Sequence, residues 1–177
     1  MNARTYLALF SSGFAANMPA EAYLELQRIA ASVAPNDNSL RAEHARGRIL
    51  SHRDWIMADR IREGHRQRWR ALFREWDVVV CPITPTPAFP HDHSPPEARH
   101  ISIDGQDFHY DDQLVWAGMA TLPGLPATAM PIGLSPAGLP IGVQVIGPFL
   151  EDRTTIAFAQ CSEQAMGGFV APPMAGV

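Results

Sequence analysis

The 177-residue chain contains no lysine: all fourteen basic side chains are arginine. A guanidinium stays protonated at any working pH, so none of them can serve as a proton-accepting base. Cysteine is nearly as scarce. Cys81 and Cys161 stand alone, without metal-type spacing, and the expectation is a reduced, cytoplasmic protein. No run approaches the roughly 18 apolar residues of a membrane span. The opening Met1-Asn2-Ala3-Arg4-Thr5 lacks the apolar stretch of a secretory signal, so no membrane partner is expected. The formal charge of −4 argues against generic nucleic-acid binding.

What is present is globular in composition, with 46% apolar and 18% charged residues, and amounts to one domain's worth of chain. It divides by character. Residues 1–76 read as a helical region, with breaks at Pro19 and around Pro35-Asn36-Asp37-Asn38. Pro19-Ala20-Glu21 is a good helix start, and Tyr23, Leu26, Ile29, Ala30 and Val33 keep the spacing of one buried face. Ser39 precedes a long helical stretch from Leu40 to Trp76, interrupted near Ser51. Trp55, Arg62, Trp69, Leu72 and Trp76 fall near one stripe of it, and the tryptophans are expected to pack helix against sheet.

Residues 77–177 read as an α/β region. Val78-Val79-Val80-Cys81 is short, continuous and β-branched, the pattern of a strand buried on both faces. It runs into Pro82-Ile83-Thr84-Pro85-Thr86-Pro87, which cannot continue a ladder. Ile101-Ser102-Ile103 meeting Asp104-Gly105 suggests a short hairpin. A helix is expected over Asp111–Thr121, strands over Ala127–Ile132 and Ile141–Ile146, and a last helix over Glu151–Met166, ended by Gly167-Gly168.

Several residue groups invite functional readings with blander rivals. Ser135, in Gly133-Leu134-Ser135-Pro136-Ala137-Gly138, lacks the G-x-S-x-G spacing of a nucleophile elbow and reads as a turn serine. Cys81 lacks a nearby base and an electropositive setting, so it reads as a buried, inert thiol. His91-Asp92-His93, with His100 and His109, holds metal-capable groups but no rigid spacing, and no metal is expected. Ten of the arginines lie between Arg41 and Arg74. Glu43, Asp54, Asp59, Glu63 and Glu75 are interleaved with them, so the run reads as a solvated, ion-paired helix face and no nucleic-acid partner is expected.

Three stretches carry a resemblance. They are Trp76-Asp77-Val78-Val79-Val80-Cys81-Pro82-Ile83-Thr84-Pro85-Thr86-Pro87-Ala88; then Gly124-Leu125-Pro126-Ala127-Thr128-Ala129-Met130-Pro131-Ile132-Gly133, continued by Gly138-Leu139-Pro140-Ile141-Gly142-Val143-Gln144-Val145-Ile146-Gly147-Pro148; and the ending Gly167-Gly168-Phe169-Val170 with Pro172-Pro173. In order and spacing this resembles the C-terminal portion of the amidase signature family of serine hydrolases, well over residues 70–173 and in pattern only before that. Thr121 stands where many members carry asparagine.

The resemblance implies an α/β fold, part of a mixed β-sheet flanked by helices, and hydrolysis of carboxylic amides by a Ser-Ser-Lys relay. Its catalytic lysine and its Gly/Ser-rich loop, which would also supply oxyanion donors, lie N-terminal to the matched stretches. No such loop is found here, and there is no lysine. The only paired serines, Ser11-Ser12, precede a lone glycine in an apolar helical segment. The resemblance therefore implies a chain with no catalytic residues of its own, expected to be inactive alone, and no cofactor. Its contribution would be core strands and a wall of the pocket for a small-molecule amide. Ile83, Thr84 and Thr86, at the proline-rich turn, are the first substrate-binding candidates, with Trp116 and Ile141 beside them. The alternative is a non-catalytic interaction module that binds a partner through an uncovered sheet face, with self-association as a corollary.

Overall fold

Two serines punctuate the helical region. The computed structural model describes residues 3–37, 39–95 and 98–171. Ser39 caps α3 (Leu40–Arg48) by accepting from the Ala42 N–H at 3.2 Å, and Ser51 caps α4 (His52–Leu72) by accepting from the Asp54 N–H at 3.1 Å. Each cap satisfies one of the amides that a helix start leaves without a partner. Before them come α1 (Ala3–Ala15) and α2 (Ala20–Ser32), the latter entered through Pro19. Asn38, the first two residues and Pro172-Pro173 of the ending motif lie outside the described residues.

The strands follow α4. β1 (Val79–Pro82), β4 (Ala127–Leu134) and β5 (Pro140–Ile146) form a sheet in the order β1-β5-β4. β2 (His100–Ile103) and β3 (Gln106–His109) form a separate hairpin. All these pairings are antiparallel. The hairpin turns at Asp104 and Gly105, both at positive φ, the conformation a two-residue turn of matching twist requires. A 3-10 turn (Tyr110–Gln113) and α5 (Leu114–Thr121) fill the span expected as one helix. α6 (Asp152–Met166) packs across β4 and β5 and ends at Gly167 with φ 84°. There Thr155, buried, shares a 2.7 Å hydroxyl contact with Thr128.

The two regions are joined by a small apolar cluster. Tyr6 and Leu7 of α1 meet Leu122 beyond α5, with Phe10 and Leu114 against them. α1 and α3 cross closely because Gly47 has no side chain: a Cβ there would stand 2.9 Å from the Ser11 Cβ and 3.1 Å from the Ala8 Cα.

Two expectations from pattern are corrected. β1 is an edge strand with no described strand on its free side, and it is not buried on both faces, since Val80 is 48% exposed. Trp76 lies past the end of α4 and is 64% exposed, so it does not pack helix against sheet, whereas Trp55 and Trp69 are half-buried. In α2, Leu26 and Ala30 are buried as the spacing predicts, but Ile29 at its margin is exposed.

Candidate functional site

The proline-rich turn leaves β1 at Pro82 and bends through residues 83–87. Proline fixes its own φ and restricts the residue before it, so three prolines in six residues hold the turn in few conformations. Within it the Thr84 hydroxyl donates to the Thr86 carbonyl at 2.9 Å, closing the turn on itself. Thr84 is thereby engaged within the turn. The Thr86 hydroxyl is the opposite case: its oxygen is buried and has no hydrogen-bond partner.

Thr86 lines a cleft of about 630 Å³ together with Phe89, Ile101, Ser102, Ser135 and Leu139. Three segments build it: the proline-rich turn, strand β2 of the hairpin, and the β4–β5 connection. Since Pro82 pairs with Val143 while Val79 pairs with Ile146, the cleft sits beyond the carboxyl end of β1. The lining is apolar and hydroxylic. Its one titratable group, His100, is held by Asp107 at 2.7 Å.

The other four candidates are placed differently. Ile83 turns down onto β5, its Cδ1 3.5 Å from where a Cβ on Gly142 would stand. Trp116 and Ile141 are half-buried on α5 and β5, and neither these nor Ile83 and Thr84 line the cleft of Thr86. What gathers this region is Gln144, to which the apolar pattern gives no role. Its Nε2 donates to the Pro82 carbonyl at 2.9 Å and to the Trp116 carbonyl at 2.8 Å, tying β1, β5 and α5 together. A buried amide inside the apolar run Val143-Gln144-Val145-Ile146 is the signal that marks it, because such a group must find partners.

The rival sites resolve on geometry. Ser135 accepts from the Leu139 N–H at 3.1 Å, as a turn serine does. Cys81 is half-buried and burial pushes its thiol pKa up, with a contact to Gln144 acting weakly the other way, so its thiolate is disfavoured. No group of three metal-capable side chains comes together among the described residues. On α4, Arg62 pairs with Asp59, and both Arg66 and Arg70 pair with Glu63 at 3.6 and 3.3 Å, so part of the arginine run is ion-paired along the helix. A serine–histidine contact does exist, between Ser11 and His44, but Ser11 is 1% exposed against the Gly47 face and has no room for a substrate carbonyl.

Comparison with known proteins agrees with this architecture. The family pattern described as Amidase matches residues 11–156. A glutamyl-tRNA(Gln) amidotransferase subunit from Gluconobacter oxydans (strain 621H) is 32% identical over 111 residues, which are 63% of this chain and 21% of that protein. Its counterpart in Synechococcus elongatus (strain ATCC 33912 / PCC 7942 / FACHB-805) is 33% identical over 111 residues, with the same shares. The chain thus spans about a fifth of the length of these relatives. Among solved structures, a bacterial aryl acylamidase of the amidase signature enzymes superimposes with a TM-score of 0.63 at 15% identity, covering 93% of this chain and 34% of that one. The corresponding amidotransferase subunit from Thermotoga maritima does so with a TM-score of 0.59 at 21% identity, over 93% and 33%. These two carry the fold. With the pattern, the curated relatives and the fold in agreement, the chain belongs to the amidase signature family.

Proposed function

We propose that this chain is the C-terminal part of an amide hydrolase, supplying core strands and a wall of the substrate pocket, while the serines and lysine of the relay reside on a part that it lacks. The observation that carries this reading is the absence of any lysine from a member of a family whose relay requires one. The cleft at the carboxyl end of β1, with the unpartnered Thr86 hydroxyl in its wall, is where a substrate would lie. On this reading residues 1–76 and 77–177 are two regions of one amidase-like domain. The two free cysteines suit a reducing cytoplasm.

The test is turnover. The purified chain, given acetamide, benzamide and acetanilide, is expected to release no amine or ammonia above buffer. Turnover abolished by a serine-directed fluorophosphonate would overturn the proposal. In an enzyme completed by the missing part, Thr86→Phe should fill the cleft and change the ratio of kcat/KM between small and bulky amides. An unchanged ratio in a folded protein would place the cleft outside the substrate path.

A second reading, a non-catalytic module that binds a partner, rests on one observation, which the reading of a missing part accounts for equally. The accessible surface is 12062 Å², against about 8,500 Å² expected for a self-contained monomer of this size. Purification of the native protein in a stable assembly with no amidase activity would favour the module; an active assembly would favour the hydrolase.

A further inference from the structure

Four helices of the helical region meet at an open hollow that the amide-hydrolase reading does not use. It measures about 570 Å³ and shares no residue with the cleft of Thr86. Gly13 comes from α1, Ala16 from just past its end and Tyr23 from α2. Arg48 ends α3, and His52 and Trp55 belong to the first turn of α4. A hollow of this volume is of the size that holds small molecules.

Charge, shape and space in this lining favour one kind of ligand. Both charge-bearing nitrogen bases that line it, Arg48 and His52, favour an anion, and no Asp or Glu lines it among the described residues. The carbonyls that end α3 are answered by the Ile49 and Leu50 amides, and Arg48 itself makes no hydrogen bond or ion pair among the described residues. Asp54, the acid next along the chain, is engaged by the Ser51 hydroxyl at 2.6 Å. His52 begins the 21-residue α4, where unpaired amides add partial positive charge. Tyr23 and Trp55 bring half-buried rings. Trp55 is held from behind α4's first turn by Arg62, whose guanidinium lies 5.7 Å from the indole and is itself paired with Asp59. Space comes from Gly13. A Cβ there would meet nothing within 4 Å, unlike one at Gly47, so no close helix crossing accounts for a residue that helices disfavour.

We propose that this hollow binds a small aromatic carboxylate, with its ring against Tyr23 and Trp55 beside Gly13 and its carboxylate on the Arg48 guanidinium. A guanidinium presents two parallel N–H groups that match the two oxygens of a carboxylate, and aromatic rings favour offset or edge contacts with another ring. A neutral ring would lose the ion pair, and an inorganic anion would lose the ring contacts. The hollow beside Phe149 has no such preference. It is lined by Arg70 together with Asp77 and Glu151, and Arg70 is already paired with Glu63 at 3.3 Å.

The experiment is an NMR titration of the full chain at pH 7 with benzoate, benzamide and inorganic phosphate, following the Trp55 indole N–H and the amides of residues 12–16. Benzoate is expected to shift these signals saturably and to leave those of α6 in place. Benzamide, the same shape without the charge, and phosphate, the charge without the ring, should each bind at least about tenfold more weakly. Arg48→Met keeps an unbranched stem and removes the charge, and should weaken benzoate binding at least about tenfold. Gly13→Leu favours the helix while filling the hollow, and should abolish binding. No saturable benzoate shift, shifts that map elsewhere, benzamide or phosphate binding as tightly as benzoate, or unchanged affinity in either folded variant would overturn the site. If Arg48→Met does not fold by circular dichroism, Gly13→Leu and the comparison of benzoate with benzamide decide the matter.

Discussion

Cysteine reactivity follows from burial one side chain at a time. Cys161 on α6 is exposed, while Cys81 on β1 is half-buried and burial pushes its thiol pKa up. Burial both shields the Cys81 sulfur and disfavours its thiolate, so iodoacetamide at pH 8 should modify Cys161 faster than Cys81. Mass spectrometry of arginine-cleaved peptides reads this directly, and equal rates would mean that β1 opens readily. Glycine offers a paired test of the α1–α3 crossing. Gly47→Ala gains helix propensity of about 1 kcal/mol, but its methyl would press on Ser11 and on the Ala8 backbone. Backbone contacts cannot swing aside, so a net loss of about 1–3 kcal/mol in urea unfolding is expected. Gly64→Ala in α4 meets nothing within 4 Å, and should stabilise by up to about 1 kcal/mol. The same substitution should thus have opposite signs at the two sites.

At the scale of elements, the sheet depends on one amide. Replacing Gln144 by leucine keeps the volume but leaves the Pro82 and Trp116 carbonyls without their donor. The loss of two hydrogen bonds at a partly buried junction should cost about 1–3 kcal/mol, read as a lowered urea midpoint with unchanged slope. A small loss would mean that water reaches the junction. β1 and β4 also show how far an element can be read from its pattern. β4 carries Pro131 and an irregular register between Pro131 and Gly133, features that edges tolerate. β1 carries Val79 and Val80 directly after Val78, the pattern of an interior strand, yet among the described residues no strand pairs with its far edge.

For the whole molecule, the surplus of accessible surface sets the expectation. Val80 on β1 and Ile132, Leu134 and Leu139 on and beside β4 are exposed, as are Ile156 and Phe158 on α6. Monomers rarely show apolar patches beyond a few hundred Å². The isolated chain should therefore bind an apolar dye strongly or elute as more than a monomer in light scattering. A monodisperse monomer with negligible dye binding would show that the sheet is sufficient as it stands, and the reading of a missing part would fall.

Local interactions made much of this legible in the sequence. The helix start after Ser39, the break near Ser51, the Asp104-Gly105 turn, the proline-rich exit from β1 and the strands expected over Ala127–Ile132 and Ile141–Ile146 all rest on contacts within a few residues, or on the period of apolar side chains. So did the family, because its motifs are runs of neighbours. The candidate site was legible only in part. Thr86 could be named from the turn, but that Thr84 closes the turn while Ile83 packs on Gly142 depends on how β5 lies beneath. Gln144 and the meeting of Ser11 with His44 bring together residues dozens of positions apart. Burial and partnership at such distances are properties of packing, which no window of sequence contains. Tertiary structure alone decided them.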